Sequence, residues 1–422
     1  MDITGNLEYG GKCVAIVEFD TNLTDEGKAV LSEARRFFRE VWRPAAVKLD
    51  KLSNPEDVIA KDSIFWDVLR QTYQLGYNKM GFPVEMGGSG LRDPLARAMI
   101  TEEMGYASAD LAICLGVCSM PFSMAMASPH PDLREMVRQY AEDTEAKMIG
   151  CWAITEPDHG SDWLYFDSVH HHDPGVIPQV TAVLDGDHYI INGQKSAWVS
   201  NGTIATHAAL FLNLDSSRGM DSGGVAIVPL DLPGVSKGKP LNKLGQRALN
   251  QGEIFFDDVR IPKEYMICSD PVAYNRMING ILSGANASMG GYFVGLAQAA
   301  LDEAIAYAKQ RVQGGRPISE HQSVKARLFD MFTQVEAARA LSRRVRTSRP
   351  GGQTTLHYSI ASKILSTEAA FRVASMAIQI FGGYGLSKDF VIEKLFRDAR
   401  ASMIEDGVNE TLALEGAEKL LE

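Results

Sequence analysis

Residues 151–162, CWAITEPDHGSD, form the first segment whose side chains and backbone could do chemistry. A predicted strand ends at Thr155 and runs through Pro157 into Gly160-Ser161, so a turn there exposes backbone N–H groups beside two hydroxyls. Such a turn can bind a phosphate or the polar edge of a ring. An ordinary β-turn has the same composition, and the segment alone leaves both interpretations open.

The segment 191–202 combines a predicted turn with an aromatic side chain. Asn192-Gly193 is typical of a hairpin turn and places Trp198 in the strand that follows. Trp198 is either a core anchor or a wall for a flat aromatic cofactor. The next segment, LGQR at 244–247 leading to FFDDVRIP at 255–262, is interpreted as structural, a strand that stops at a proline.

Two later segments combine arginine, glutamine and glycine. Arg311, Arg316 and the glycines between them fall between predicted helices, where they form either a pyrophosphate clamp or a solvated loop. The run QIFGGYG at 379–385 has a backbone that a dinucleotide could approach closely. It lacks the preceding strand of a Rossmann site, so that fold is not predicted.

Glu405-Asp406-Gly407 places two adjacent carboxylates just before the last predicted helix. One of them could be a general base, and N-terminal helix capping is the alternative. No metal site is predicted: the side chains of the three histidines at 170–172 diverge, which favours a polar surface loop. The five cysteines are scattered and odd in number, so we predict that they are reduced.

These segments are distributed over three stretches that differ in residue composition and in the spacing of apolar residues. Apolar residues recur at helical spacing from 24 to 145, short β-branched and aromatic runs occupy 149–270, and helical spacing returns at 275–310, 319–348, 354–380 and 409–421. We predict an α+β fold with an N-terminal helical domain (1–148), a middle β-barrel-like domain (149–270) and a C-terminal helical domain (271–422).

The composition fits a soluble enzyme of two or three domains. The 422 residues carry 42 basic and 53 acidic side chains, a net charge of -11, so no general attraction to nucleic acid is expected. The N-terminus lacks a basic start followed by an apolar core, and no uninterrupted apolar run reaches about 20 residues. These features predict neither a signal peptide nor a membrane span, and a cytoplasmic location is expected.

Taken in order, four segments resemble the acyl-CoA dehydrogenase flavoprotein family over nearly the whole chain: CWAITEPDHGSD, INGQKSAWVSNG, LGQR with FFDDVRIP, and FGGYGLSKDFVIEKLFRDAR. The resemblance implies a C-terminal four-helix domain, a homodimer or homotetramer, and FAD bound across a subunit boundary. It implies that one group of residues surrounds the flavin ring: Trp152, Ile154, Thr155, Trp198 and Ser200. It places Ser161 at FAD or thioester phosphates, and a second group at the pyrophosphate and adenine of a neighbouring subunit's FAD: Arg311, Gln322, Gln379, Gly382 and Gly383.

The departures from the family concern the base. Where the family has the Glu of Tyr-Glu-Gly-Thr, this chain has Asp406, whose carboxylate lies about 1.5 Å further back. The alternative base position of one branch aligns with Ala285. Nitroalkane oxidases resemble the family and use an Asp at this position, but the Arg they need aligns with Ala413.

Relatives that act on cyclic enoyl thioesters take a proton with an aspartate elsewhere in the pocket, which directs attention to Asp110. This residue lies amid Leu111 and Ile113, on a helix that lines the acyl pocket in the family. Asp110 is either a second base or polar-substrate contact, or it is a helix-cap or exposed residue.

The resemblance therefore predicts an FAD-dependent acyl-CoA dehydrogenase that removes a proton, through Asp406 or Asp110, and a hydride from an acyl-CoA thioester. An electron-transferring flavoprotein is the expected external acceptor, and the acyl group is expected to be cyclic, branched or functionalised. The alternatives are a nitroalkane-oxidase-like flavoenzyme and a non-catalytic homologue that binds acyl-CoA or FAD.

Overall fold

The computed structural model describes residues 18–165, 171–348 and 355–421, and its first region is helical. Threonine, serine and aspartate side chains cap several of the helix N-termini, as at Thr24, whose hydroxyl accepts from the Gly27 N–H at 2.9 Å. The helices are α1 (Asp25–Phe37), α2 (Arg43–Asp50), α3 (Pro55–Val58), α4 (Ile64–Gln74), α5 (Pro94–Ala107), α6 (Ala109–Cys118), α7 (Met120–Ala125) and α8 (Pro131–Glu142).

The middle region is one eight-stranded sheet among the described residues. Its strands are β1 (Gly150–Ala153), β2 (Thr181–Asp185), β3 (His188–Lys195), β4 (His207–Asn213), β5 (Gly223–Pro229), β6 (Val235–Lys237), β7 (Ile254–Pro262) and β8 (Met266–Cys268). The order is β6-β7-β3-β2-β4-β5-β8, with β1 parallel to β4. Alternating apolar residues on these strands, such as Leu210, Leu212, Val228 and Ile261, form a buried core of their own.

The hairpin turn predicted at Asn192-Gly193 is wrong. β3 runs through both residues, and the strand register against β7 shifts between Ile191 and Gly193. Gly193 has a φ of +127°, and a Cβ there would lie 2.6 Å from the Gln179 carbonyl oxygen. The glycine therefore serves a bulge. The tight turn lies between β2 and β3, at Gly186, which has a φ of +61°.

The last region is helical again: α9 (Pro271–Gln310), α10 (Gln322–Thr347), α11 (Leu356–Phe381), α12 (Ile392–Ser402) and α13 (Asn409–Leu421), with a small hairpin of β9 (Val312–Gln313) and β10 (Arg316–Pro317). These elements confirm the predicted α+β class, although α12 lay outside the predicted helical stretches. By length and composition the segment 356–386 could cross a membrane, and half of its most apolar stretch is buried inside the protein.

A loop of the middle region, residues 244–248, contacts both helical regions, and we call it the interdomain joint. On its C-terminal side, a Cβ on Gly245 would lie 2.4 Å from the carbonyl oxygen of Arg397. The next backbone N–H, that of Gln246, donates to the Asp398 carboxylate at 2.5 Å. Glycine is therefore required for the joint to reach α12.

On its other side the joint contacts the N-terminal helices. Arg247 donates to the backbone carbonyls of Asp50, at 3.1 Å, and Leu52, at 2.5 Å. The Ala248 N–H donates to the Asp110 carboxylate on α6 at 3.1 Å. The interpretation of LGQR as part of a simple strand end was therefore incomplete, because this loop joins three regions of the chain.

A buried ion cluster lies under the joint. Lys394 Nζ lies 3.2 Å from Asp110 and 2.5 Å from Asp398, and all three side chains are buried. Burial raises the pKa of Asp398 to about 6 although Lys394 opposes it. Burial also raises the pKa of Asp110, but Lys394 and Ser108 outweigh it and hold that pKa below its usual value. The cluster thus links α6 to α12 through one cation shared by two carboxylates.

Replacing Lys394 with methionine should lower the free energy of unfolding by about 3–5 kcal/mol, because it leaves buried carboxylates without their cation. The melting temperature of the holoenzyme should fall by several degrees. Lys263→Met is the matched control, since it breaks an exposed pair with Asp187 (2.6 Å) that contributes little. Equal melting temperatures for the two variants would contradict a structural role for the cluster.

Candidate active site

The end of β1 lies beside the segment that follows β3, and hydrogen bonds link the two. Lys195 Nζ donates to the Ile154 carbonyl and the Ser196 N–H donates to the Thr155 carbonyl, both at 2.9 Å. Trp152 on β1 is buried, and its Nε1 has no hydrogen-bond partner among the described residues. The predicted trio Trp152, Ile154 and Thr155 is therefore held by fixed backbone, with an indole N–H available to a ligand.

A buried ion pair supports this strand end, and sequence reasoning missed both partners. Lys195 and Glu156 have fully buried side chains 2.7 Å apart, and Glu156 also accepts from the Val180 N–H at 3.1 Å. Burial lowers the pKa of Lys195 to about 8 although Glu156 opposes the shift. A lysine in a strand of otherwise amphipathic pattern carries no sequence signal of burial, so only the fold could reveal the pair.

Trp198 lies in the turn after β3, which corrects the prediction that it occupies a strand, and Ser200 follows in an isolated bridge to Gln251. Trp198 is 58% exposed, which rules out the core-anchor interpretation. Gln251 Nε2 donates to the Trp198 carbonyl and to Ser200 Oγ, both at 3.2 Å. Because Ser196 of the same segment bonds to Thr155, this exposed ring lies near the end of β1.

The predicted base lies in a left-handed turn between α12 and α13. The φ angles are +52° at Asp406 and +96° at Gly407, and the first is unusual for a residue with a side chain. Ser161 Oγ accepts from the Val408 N–H at 3.0 Å, and Lys363 Nζ donates to the Gly407 carbonyl at 2.7 Å. The structure therefore brings Ser161, predicted near phosphates, directly to the Asp406 turn.

The charges around this turn favour a carboxylate that can gain and lose a proton. Burial raises the pKa of Asp406 to about 6, while the nearby Lys363 cation lowers it. Burial likewise raises the pKa of Glu405 to about 7, and that carboxylate accepts a hydrogen bond from Gln246 of the interdomain joint. Lys363 is fully buried and also donates to Asn409 Oδ1 at 2.7 Å. Sequence reasoning missed Lys363, whose only signal is a lysine within an apolar helical run.

Asp110 is fully buried, so the interpretation of this residue as exposed is wrong. Its carboxylate accepts from the Ser108 hydroxyl, from the Leu111 N–H at 3.1 Å, from the Ala248 N–H and from Lys394. A carboxylate with this many donors is held in its ionised form. These contacts favour a structural role at the start of α6 over the hypothesis of a second base.

The second predicted group meets at the far end of α11. Tyr307, Arg311, Gln313 and residues 379–384 line a cavity of about 470 Å³, and this set includes the predicted Gln379, Gly382 and Gly383. A Cβ on Gly382 or Gly383 would meet no atom within 4 Å, so the backbone is open to a ligand. Gln322 is exposed at the start of α10 and does not line this cavity, so its role stays a prediction.

The histidine run is only partly described, since His170 lies outside the described residues. His172 Nδ1 lies 3.0 Å from Asp221 on the surface. Among the described residues no cluster of three or more His, Cys, Asp or Glu side chains could hold a metal ion. The cysteines at 114, 118, 151 and 268 are free and buried, and Cys13 lies outside the described residues.

The chain thus combines a helical domain, a β-sheet and a second helical domain, with the acidic turn at Asp406 bonded to Ser161 of the segment after β1. Models of the acyl-CoA dehydrogenase N-terminal, middle and C-terminal domains match residues 24–129, 151–259 and 276–421 in turn. A probable acyl-CoA dehydrogenase of Bacillus subtilis is 30% identical over 93% of this chain and 99% of its own length. The chain therefore belongs to the acyl-CoA dehydrogenase family, and it is an FAD-dependent oxidoreductase.

Two further relatives cover nearly the full length of the chain. The cyclohexane-1-carbonyl-CoA dehydrogenase of Geobacter metallireducens is 28% identical over 95% of this chain and 98% of its own. The solved structure of butyryl-CoA dehydrogenase from Megasphaera elsdenii superimposes with a TM-score of 0.83 at 28% identity, covering 96% of this chain and 100% of that one. The acyl groups in the names of these two relatives differ in shape, so the acyl group of this chain does not follow from the family.

Replacing Arg311 with alanine should weaken FAD binding by about tenfold or more, because a charged hydrogen bond to a phosphate contributes roughly 1.5–3 kcal/mol. The measurement is the FAD dissociation constant, from quenching of flavin fluorescence on titration of apoprotein. Arg372→Ala is the control, since Arg372 pairs with Asp330 on an exposed surface. An unchanged dissociation constant for Arg311→Ala would remove this arginine from the cofactor site.

Proposed function

We propose that this protein dehydrogenates an acyl-CoA thioester, with Asp406 as the base that removes the acidic proton next to the thioester carbonyl. The observation that carries the proposal is the Asp406 turn: burial raises the pKa of this carboxylate to about 6, and the turn is bonded through the Val408 N–H to Ser161, in the segment that follows β1. A base with this pKa is ionised near neutral pH and still binds a proton readily.

The residues present fit FAD. The buried Nε1 of Trp152 lacks a partner among the described residues, and the open glycines 382 and 383 leave backbone exposed in a cavity that Arg311 also lines. Trp152, Ile154, Thr155, Trp198 and Ser200 would hold the ring, and Arg311, Gln379, Gly382 and Gly383 the pyrophosphate and adenine. Bound FAD supplies the acceptor for the hydride that leaves the substrate.

This chain's own residues control the proton. Ser161 and Lys363 hold the backbone that follows Asp406, so the carboxylate keeps one position despite the left-handed φ of its residue. The Lys363 cation limits how far burial raises the pKa of Asp406. Glu405 is tied to Gln246 by a hydrogen bond and is therefore the less available of the two adjacent carboxylates.

The substrate we propose is a cyclic, branched or functionalised acyl-CoA. The carboxylate of an aspartate lies about 1.5 Å further back than that of a glutamate, and a displacement on the order of 1 Å can lower a rate about 100-fold if the substrate does not follow. A bulkier acyl group could close that gap. The relative from Geobacter metallireducens, which is named as a dehydrogenase of a cyclic acyl-CoA, supports the same class.

The remaining assignments extend the same proposal. None of the contacts described above joins the residues predicted around the flavin ring to those predicted at the pyrophosphate and adenine. This separation favours a site completed by a second copy of the chain in a dimer or tetramer. An electron-transferring flavoprotein is the proposed acceptor, and the cytoplasm the proposed location. The main rival is a nitroalkane-oxidase-like reaction, which the aspartate at position 406 favours.

Asp406→Asn should lower the rate of anaerobic flavin reduction by at least about 100-fold, because the amide cannot accept the proton. The measurement is stopped-flow bleaching of the flavin with a panel of linear, branched and cyclic acyl-CoAs and, separately, nitroethane. Glu405→Gln, a change of the adjacent carboxylate, should retain most of the rate. Bleaching of the wild-type flavin by nitroethane alone would replace the thioester reaction by the rival, and bleaching by neither would favour the non-catalytic homologue.

Lys363→Met should shift the acidic limb of kcat/KM to higher pH. The base must be ionised to act, so the rate of the wild type falls as the pH drops through about 6. Without the cation the pKa of Asp406 rises further, and activity is lost at a higher pH than in the wild type. Lys363→Arg keeps the charge and should shift the limb less. Identical pH profiles for the methionine and arginine variants would show that Lys363 acts only through packing.

A further inference from the structure

Tyr292 presents a phenol that the described structure leaves without a hydrogen bond. The residue lies on α9, and only 9% of its surface is exposed. Its Oη lies 3.4 Å from the position that a Cβ would take on Gly116 of α6. None of the described residues bonds to this hydroxyl, and a nearly buried phenol normally finds a partner. The group is therefore placed to bind a ligand between α6 and α9.

The backbone under Tyr292 cannot shift. Gly105 of α5 packs so closely that a Cβ there would lie 1.9 Å from the Tyr292 carbonyl oxygen. The contact repeats one turn along each helix, where a Cβ on Gly295 would lie 2.0 Å from the Glu102 carbonyl oxygen. Two such contacts fix α9 against α5, so the phenol keeps its place and forms a rigid wall.

Polar groups surround this wall. One helical turn before Tyr292, Ser288 accepts a hydrogen bond from Arg346 Nη1 at 3.2 Å. Burial raises the pKa of Tyr292, the positive charge of Arg346 lowers it, and the negative charge of Asp406 raises it. The charges of the proposed base and of a cation on α10 therefore both act on the phenol.

We propose that Tyr292 closes the far end of the acyl pocket and selects a short acyl group that carries a hydrogen-bond acceptor, a carbonyl or carboxylate oxygen, near its end. This inference rests on the proposed function, since it assigns the part of the substrate beyond the carbon that Asp406 deprotonates. A rigid aromatic wall excludes long chains, and a phenol hydroxyl with no partner among the described residues favours an acyl group that carries an acceptor. Tyr292 is thus a specificity residue.

The test uses the FAD-loaded enzyme and four thioesters: pentanoyl-CoA, 4-oxopentanoyl-CoA, glutaryl-CoA and octanoyl-CoA. Dissociation constants are measured by calorimetry, and flavin reduction by stopped flow. The wild type should bind at least one acceptor-bearing five-carbon thioester about five- to tenfold more tightly than pentanoyl-CoA, and octanoyl-CoA most weakly. Tyr292→Phe should bring that ratio close to one, and Tyr292→Ala should admit octanoyl-CoA.

Tyr77→Phe is the matched control, because Tyr77 is also 9% exposed but lies in the N-terminal helices, stacked on Phe37. It should leave every ratio as in the wild type. Octanoyl-CoA binding as tightly as pentanoyl-CoA in the wild type, or a Tyr292→Phe variant that keeps the wild-type ratio, would overturn the inference while flavin reduction still supports the dehydrogenase. Binding with the expected ratios but no flavin reduction would overturn the proposed reaction and leave the pocket assignment standing.

Discussion

The buried cluster of Asp110, Lys394 and Asp398 is the interaction on which the rest of the structure depends. It holds one cation between carboxylates of two helical domains, and the interdomain joint closes over it by donating backbone N–H groups to both carboxylates. Charges so far from water are stable only when every partner is in place. The cluster therefore requires the three domains to keep one arrangement.

The geometry of the candidate active site depends on that arrangement of the domains. Gln246 of the joint also bonds to Glu405, so the position of the joint is transmitted to the residue next to the proposed base. From the other side, Lys363 and Ser161 fix the strained turn at Asp406. The candidate site is assembled from a strand end, a loop and two helices. Buried polar contacts connect these parts and keep their relative positions.

Much of the fold could be predicted from the sequence, because helical and strand spacing report which face of a segment is buried. The regions of helix and sheet were located in this way, and short motifs such as QIFGGYG pointed to residues that share a cavity. Local pattern failed where a tertiary contact decided the outcome. Gly193 has the composition of a turn but serves a bulge, since the Gln179 carbonyl leaves no room for a Cβ.

The sequence by itself determined the family, the order of the domains and the aspartate at the position where the resemblance puts the base, since each of these is a matter of residue type and spacing. Only the tertiary structure decided which charges act together. It turned Asp110 from a candidate base into one part of an ion cluster, and it showed that Lys363 holds the turn at Asp406 and that the hydroxyl of Tyr292 lies at Gly116 of α6. The physical reason is that burial and charge pairing depend on distances between residues far apart in the chain, and spacing along one segment does not report those distances.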